Sequence, residues 1–140
     1  TVFLDTNIII YGTFFSGPEA DLLSHPGLKL VTADICEEEL LKVTKEKFGQ
    51  FSSETKKVAV KEVENSLIDI DVIVEEEYLQ ELDKAKNLIT GKNDRKVLAA
   101  ALFVNPDYFI TGDQDFQRDK ITKILPVKST RKVLEELDTS

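Results

Sequence analysis

The strongest constraint on the fold is the alternation along the chain of short apolar runs with longer amphipathic stretches. Apolar or alternating runs at residues 2–4, 28–31, 68–74 and 108–111 have the length and composition of strands. Between these runs, apolar side chains recur at helical spacing. Strands that are joined through helices form parallel sheets, because each helix carries the chain back to the edge where the next strand begins. We therefore predict a parallel α/β sheet in one layered domain.

Local signals set the expected bounds of three further elements. Asp34 has the spacing of a capping box, which predicts the start of a helix that ends at Gly49. Apolar residues recur at helical spacing across 78–89 and predict one helix there. Residues 124–127 form a short strand that contains Pro126, and proline cannot donate a hydrogen bond to a neighbouring strand. This last strand is therefore expected at an edge of the sheet.

Length and charge limit the classes of protein to which the chain can belong. Its 140 residues correspond to one domain, which we expect to span residues 1–140. It has 18 Lys and Arg against 26 Asp and Glu, a formal net charge of −8. An evenly spread negative charge would repel phosphates, which argues against a basic nucleic-acid coat or a polybasic membrane binder. A cluster of the surplus carboxylates in a cleft would instead indicate a functional site.

The rare residues exclude several kinds of site. The single cysteine, Cys36, cannot form a disulfide within the chain or a Cys-rich zinc site. The single histidine, His25, lies in a turn-like run, and it leaves no His-rich metal site and argues against a His-based acyl-transfer triad. No apolar stretch is long enough to span a membrane. We therefore expect no membrane partner and a cytoplasmic protein.

Three aspartates follow two of the predicted strands. Asp5 comes directly after residues 2–4, and Asp113 and Asp115 come after the run at 108–111. In a parallel sheet, ligands bind outside the carboxyl ends of the strands. One aspartate after a strand is often only a helix cap. Acids that follow two strands at the same edge of the sheet favour a functional site.

Two helix starts bring further carboxylates toward that edge. Asp94 precedes the most apolar helix, where a capping role alone would explain it. A run of three glutamates opens another helix, and such runs are usually solvated partners of the helix dipole. Within the run Glu39 is expected to face inward, because Leu40 and Val43 beside it have the character of core residues. Glu38 is a close competitor for the inward position.

A cluster of carboxylates without histidine or cysteine suits hard divalent cations. Mg²⁺ and Mn²⁺ take oxygen ligands and retain several waters, and their charge offsets the repulsion that raises the pKa of neighbouring carboxylates. Two such ions can lower the pKa of an attacking water and steady the leaving oxygen of a phosphodiester. The residues therefore support phosphodiester hydrolysis that needs no histidine base.

Four motifs of this sequence occur together in one known family. They are Leu4-Asp5-Thr6-Asn7, Glu39-Leu40, Asn93-Asp94-Arg95 and Thr111-Gly112-Asp113-Gln114-Asp115-Phe116. In this order, the chain resembles the PIN domain, a family of metal-dependent nucleases that includes the VapC-type toxins, over essentially its whole length. The resemblance implies a three-layer α/β/α fold with a central, mostly parallel sheet. It also implies an acidic cleft that binds Mg²⁺ or Mn²⁺ and cleaves single-stranded or structured RNA.

The resemblance assigns roles to individual residues. The implied metal ligands are Asp5, Asp94, Asp113 and Asp115, of which the last matches a more variable position. The implied catalytic acids are Asp5, Glu39, Asp94 and Asp113. Asn7 and Thr111 match polar positions that support the carboxylates through hydrogen bonds. Gly91 stands where many relatives have a further aspartate, so both one metal ion and two remain open.

RNA must approach this acidic protein through local positive charge. Lys92 and Arg95 flank Asp94, and Arg118 follows the last acidic motif in a basic final quarter of the chain. Each alone is more simply an ordinary surface charge, but together they are candidates for binding phosphates beside the cleft. The resemblance to toxin-type members also implies an antitoxin partner and favours a homodimer.

Two other functions compete with a nuclease. A haloacid-dehalogenase-type phosphatase also has an aspartate after its first strand, but it requires a second aspartate two residues later, where Asn7 stands. A non-catalytic PIN module that binds RNA or a protein is the other alternative. The acids argue against it, because degenerate modules usually lose them.

Overall fold

A parallel sheet forms the centre of the molecule. The computed structural model describes residues 1–138, so the last two residues of the predicted domain lie outside the described part. Within residues 1–138 five strands form one sheet in the order β3-β2-β1-β4-β5, and every neighbouring pair is parallel. The strands are β1 (Val2–Leu4), β2 (Leu30–Ala33), β3 (Ile70–Ile73), β4 (Tyr108–Ile110) and β5 (Val127–Lys128). The predicted α/β class is confirmed.

Helices cover both faces of the sheet. They are α1 (Thr6–Phe14), α2 (Pro18–Leu23), α3 (Asp34–Lys47), α4 (Ser53–Ile68), α5 (Glu75–Tyr78), α6 (Leu82–Lys86), α7 (Lys92–Val104), α8 (Asp119–Thr122) and α9 (Thr130–Asp138). Helices α5 to α8 contribute to the core on one face, and α1, α2, α4 and α9 contribute to the core on the other. Helix α3 contributes to both. The predicted three-layer α/β/α arrangement is confirmed.

The alternation of side chains along β1 divides the core in two. Phe3 points to one face, where its ring packs edge-on against Phe109 of β4 with 5.4 Å between the ring centroids. The ring of Phe109 packs in the same way against Phe116, with 5.2 Å between the centroids. Val2 and Leu4 point to the other face, toward the helices around α1. All these side chains are buried. Because β1 is buried on both faces, its apolar run is continuous, as expected for a central parallel strand.

The helix predicted over 78–89 is wrong as one continuous element. Helix α5 ends at Tyr78, a 3₁₀ turn covers Leu79–Glu81, and α6 runs from Leu82 to Lys86. The cause is a tertiary contact: the Tyr78 hydroxyl donates to Oδ1 of Asp34 at 2.6 Å, and the backbone N–H of Glu75 donates to Oδ2 at 2.9 Å. These contacts hold both ends of α5 to the start of α3.

Other boundaries shift by a few residues. The helix predicted from Asp34 to Gly49 begins at Asp34 and ends at Lys47, but the predicted capping box is wrong, because the N-cap is Ala33 and no side chain caps the helix. The strand predicted at 124–127 is wrong in its bounds, because it shares only Val127 with β5. The edge position that Pro126 indicated is confirmed, since β5 pairs only with β4 among the described strands.

Each helix in the described residues 1–138 is too short or too polar to cross a membrane.

At the carboxyl edge of the sheet, the ends of β1 and β4 lie side by side because Leu4 pairs with Ile110. This pairing brings the residues that follow the two strands together.

Candidate metal centre

Asp5 is held in place where β1 ends and α1 begins. Its Oδ1 accepts a hydrogen bond from the backbone N–H of Thr6 at 2.8 Å, so the side chain caps α1. Its Oδ2 accepts a second bond from the hydroxyl of Thr111 at 2.7 Å. The two donors follow different strands, Thr6 after β1 and Thr111 after β4, and together they restrict the rotation of the Asp5 carboxylate.

Thr111 connects Asp5 to the acids that follow β4. While its hydroxyl donates to Asp5, the same oxygen accepts from the backbone N–H of Asp113 at 3.1 Å. Oδ1 of Asp113 in turn accepts from the backbone N–H of Asp115 at 2.9 Å, which caps the 3₁₀ turn Gln114–Gln117. The acids behind β1 and β4 thus belong to one hydrogen-bonded chain.

Asp94 reaches the same edge from the first turn of α7. One carboxylate oxygen each from Asp94, Asp113 and Asp115 lies within 4.8 Å of the others, and all three residues are half-buried. Gly91, just before α7, leaves the space that the Asp94 carboxylate fills, since a Cβ at position 91 would lie 2.9 Å from Oδ2. Three acids from two separate segments therefore converge on one point.

Glu39 extends the acidic region along α3. Glu38 and Glu39 both line a groove of about 460 Å³ together with Asn93 and Asp94, but Glu39 is half-buried and Glu38 is exposed. The negative charges of Asp5, Asp94 and Asp113 act on Glu39. Glu39 is thus more buried than Glu38, as expected of the residue that faces inward, but both glutamates line the groove.

Burial and the neighbouring negative charges raise the pKa of three of these acids. Burial raises the pKa of Asp5, and the charge of Asp113 adds to the rise, while the bonds from Thr111 and Thr6 oppose it. Burial also raises the pKa of Asp94, with further contributions from Asp113, Asp115 and Asp5. The pKa of Glu39 is raised by burial and by its acidic neighbours, and nearby Lys42 opposes the rise. A positive ion at this position would relieve the repulsion.

The donor atoms fit a hard divalent cation. The converging groups of Asp94, Asp113 and Asp115 offer carboxylate oxygens only. The nearby thiol of Cys36 is buried, and burial together with the charge of Asp5 raises its pKa to about 12, so it stays neutral and is no thiolate ligand. An all-oxygen site suits Mg²⁺ or Mn²⁺ better than a soft metal.

The supporting and basic residues predicted from the sequence have different surroundings. Asn7 is exposed on α1, and its side chain has no hydrogen-bond partner within residues 1–138. Lys92 is exposed at the start of α7. The Nε–H of Arg95 donates to the carbonyl of Ile89 at 2.9 Å, so this side chain braces the turn before α7. Nη2 of Arg118 lies 3.4 Å from Oδ1 of Asp115, directly beside the acidic cluster.

Two further residues lie close to this edge, Asp34, which was predicted only as the start of a helix, and Lys42, which was not predicted. Asp34 follows β2, but its carboxylate is occupied by the backbone N–H of Ile35 and by the contacts with α5, so its role is structural. Lys42 lines the acidic groove and acts on Glu39. The helical spacing of three between Glu39 and Lys42 is a signal that could have identified this lysine.

Comparisons with known proteins agree with this geometry. The sequence profile of one family, described as PIN domain, matches residues 3–138. The solved structure of VapBC-1 from nontypeable Haemophilus influenzae is similar at 27% identity and a TM-score of 0.68, over 93% of this chain and 98% of that chain. The structure of VapBC2 from Rickettsia felis bound to a DNA fragment from their promoter is similar in fold, at 18% identity and a TM-score of 0.66, over 91% and 97%. A comparison with curated proteins gives no match.

Proposed function

The chain belongs to the PIN domain family, and from this premise we propose that it is a metal-dependent endoribonuclease that hydrolyses phosphodiester bonds of single-stranded or structured RNA. PIN domains are typically metal-dependent nucleases. The observation that carries the proposal is the convergence of Asp94, Asp113 and Asp115 within 4.8 Å at the carboxyl edge of a parallel sheet. Open α/β sheets bind their ligands at this edge.

The acidic cluster would hold Mg²⁺ or Mn²⁺. Asp94, Asp113 and Asp115 would be its ligands, with Asp5 beside them, and the number of ions stays open between one and two. When bound, the ion supplies a lowered pKa for an attacking water and charge stabilisation at the scissile phosphate.

The protein's own contribution is to position and to accept protons. Thr111 and Thr6 fix the carboxylate of Asp5, so it needs no reordering when a substrate binds. Glu39 is the residue to which we assign proton transfer, because it lines the groove beside Asp94 but is not one of the three converging carboxylates that would hold the ion. Arg118 beside Asp115 is placed to contact a phosphate that approaches the cluster.

We further propose that the chain acts as the toxin of a toxin–antitoxin pair. The two similar structures described above are VapBC assemblies, so an antitoxin protein is the partner that these relatives support. A homodimer, a single domain over 1–140, and a cytoplasmic location are parts of the same proposal. A PIN module that binds RNA or protein without cleaving it is the alternative.

Cleavage of a fluorescently labelled single-stranded RNA tests the nuclease proposal. The wild type is expected to cleave with Mn²⁺ or Mg²⁺ and to stop in EDTA. Asp94→Asn and Asp113→Asn are expected to lower kcat at least about 100-fold, since losing one stabilising group in a preorganised site has effects of this size. Asp83→Asn, at an exposed position on α6, is the matched control and should retain full activity.

Three outcomes would contradict the proposal. Equal cleavage by the wild type and by both site variants would indicate a contaminant or a different site. Cleavage that persists in EDTA would exclude the metal requirement. RNA binding without any cleavage by the wild type would favour the non-catalytic module.

A further inference from the structure

A second groove lies between the last part of α3 and one face of α4, separate from the acidic groove. Its volume is about 570 Å³. It is lined by Lys45, Ser53, Lys56, Lys57, Val60, Lys61 and Glu64. We call it the lysine groove, because four of its seven lining residues are lysines. In a chain with a net charge of −8, such a concentration of positive charge calls for an explanation.

The lysines are not neutralised by the protein itself. Within residues 1–138, none of the four lining lysines has a carboxylate oxygen within 4.0 Å, although salt bridges of that length occur elsewhere in this part of the chain. Glu64 is the single acid in the lining. Residues 42–61 contain six lysines against two glutamates, a local surplus of four positive charges. An anion is therefore the ligand that these charges favour.

The lysines share one face of α4. Ser53, the lysine pair at 56–57, Val60, Lys61 and Glu64 follow one another at intervals of three or four residues, the spacing of a helix face. Ala59 and Val63 on the opposite side are buried in the core. Lys57 and Lys61, four residues apart, repel each other, and this arrangement costs a few tenths of a kcal/mol in an isolated helix. The sequence thus retains a small destabilisation that a bound anion would remove.

Helix α3 connects the two grooves. Glu39 and Lys42 line the acidic groove, and Lys45, three residues further along, lines the lysine groove. With a rise of 1.5 Å per residue, Glu39 and Lys45 lie about 9 Å apart along the helix axis. Glu46 also lines the acidic groove, so the two grooves meet along the last turns of α3, and a strand that leaves the acidic cluster would pass Lys42 and Glu46 before it reaches the lysine groove.

We propose that the lysine groove binds the phosphates of the RNA strand on one side of the scissile bond. This inference rests on the proposed nuclease function and adds a substrate-binding surface to it. Lysine side chains would contact phosphates as flexible point charges, so the groove contributes affinity without sequence preference. It supplements two of the basic residues predicted from the sequence, Arg118, which lies beside Asp115, and Arg95, whose Nε–H donates to the Ile89 carbonyl.

The lining favours a nucleic acid strand over a peptide. An amphipathic peptide helix would need a groove with several apolar side chains in which to bury its anchors. Val60 is the single aliphatic side chain in the lining, so the rest of the apolar surface of the groove comes from the stems of the lysines and the other polar side chains, which end in charged or polar groups. A ligand with a negative charge on every repeat unit matches this composition better.

Equilibrium binding in EDTA tests the lysine groove independently of cleavage. A labelled 12-nucleotide single-stranded RNA would be titrated with protein by fluorescence anisotropy at several salt concentrations. The double variant Lys57→Gln/Lys61→Gln is expected to bind at least about 5-fold more weakly. The slope of log K against log salt should fall by about 1.4, since each lost phosphate contact on a single strand contributes about 0.7.

A matched control separates the groove from a general effect of charge. Lys29→Gln/Lys123→Gln removes the same charge from exposed positions that precede β2 and β5, at the amino edge of the sheet. Its affinity should change less than about 2-fold. An equal loss in both double variants, an unchanged affinity in the groove variant, or no RNA binding by the wild type would overturn the proposal.

The two proposals fail in different ways. In cleavage assays the groove variant is expected to raise KM with kcat nearly unchanged, whereas Asp113→Asn lowers kcat. If the wild type binds RNA through the lysine groove but does not cleave it, the nuclease proposal would be overturned, while the proposal that the groove binds RNA would stand. A groove variant that changes oligomeric state in size-exclusion chromatography, with unchanged RNA affinity, would assign the surface to a second copy of the chain instead.

Discussion

The two grooves beside α3 hold opposite charge in opposite surroundings. In the acidic groove, Asp94 and Glu39 are half-buried, and burial together with neighbouring acids raises the pKa of each. In the lysine groove, Lys45, Lys57 and Lys61 are exposed and surrounded by water. Water screens like charges, so the lysines can stand together without a fixed counter-ion. Charges that are partly buried are screened less, so we expect the acidic groove, and not the lysine groove, to gain stability from a bound cation.

The largest expected effect is stabilisation by metal. With Mn²⁺ at about 100 times its Kd, the wild type should gain about 2.7 kcal/mol in free energy of unfolding, because the ion binds only the folded site. Asp113→Asn should lose most of this gain, whereas Lys57→Gln/Lys61→Gln should keep it. Thermal unfolding with and without Mn²⁺ measures the difference. A gain that survives in Asp113→Asn would place the metal elsewhere.

A smaller effect is expected from a methyl group at position 91. Gly91→Ala would place its Cβ against the Asp94 carboxylate and displace that ligand. Mn²⁺ affinity, measured by calorimetry without RNA, should fall about 10-fold, the lower range for groups that orient metal ligands. Gly112→Ala is the matched control, because a Cβ at position 112 meets no atom within 4 Å although Asp113 is adjacent. Equal affinities in the two variants would remove the role assigned to Gly91.

The smallest expected effect is a dependence of the metal-free stability on pH. A carboxyl whose pKa is raised in the folded state holds a proton that the unfolded chain has lost, so stability falls as pH rises between the unfolded and folded values. For Asp94, whose pKa is raised above 3.8, this cost persists at neutral pH. In EDTA, Asp94→Asn should therefore be more stable than the wild type at pH 7, on the order of 0.5 kcal/mol.

Lowering the pH sharpens the same comparison. The difference between Asp94→Asn and the wild type should shrink as the pH falls through the raised pKa and Asp94 becomes protonated. The Lys61→Gln variant is the comparison and should change less over this range, because Lys61 is in the lysine groove and is not among the groups that raise the pKa of Asp94. Thermal unfolding across an acid pH series measures both. A gap for Asp94→Asn that does not change with pH would show that repulsion is not its cause.

Local pattern predicted most of the fold and the positions of the acids. Apolar runs and helix signals are short-range features, so the order of strands and helices followed from them. The meeting of Asp5 with Asp113 also followed, because the acids come after strands that end at the same edge. The predicted helix at 78–89 failed because Asp34, more than forty residues away, anchors Tyr78 and the start of α5.

The sequence contains the surplus of lysines over residues 42–61, but it does not show that these lysines line one groove. Lys45 and Lys57 are in different helices, and only the packing of α4 against α3 brings them to one surface. The basic residues of the final quarter of the chain were predicted to bind phosphates instead, because they follow the last acidic motif closely in sequence. The hydrogen bond from the Nε–H of Arg95 to the Ile89 carbonyl could not be predicted from the sequence either, because it depends on the conformation of the turn before α7.

The hydroxyl of Thr111 has a thermodynamic consequence for whatever binds at this edge. It joins the Asp5 carboxylate to the backbone of Asp113, so the Asp5 side chain is oriented relative to the segment after β4 before any ion arrives. The conformational entropy of ordering Asp5 is then lost when the chain folds and not when a ligand binds, and association is favoured by that amount. Threonine suits the position better than serine, because its branched Cβ restricts rotation about χ1 and keeps the hydroxyl directed at Asp5.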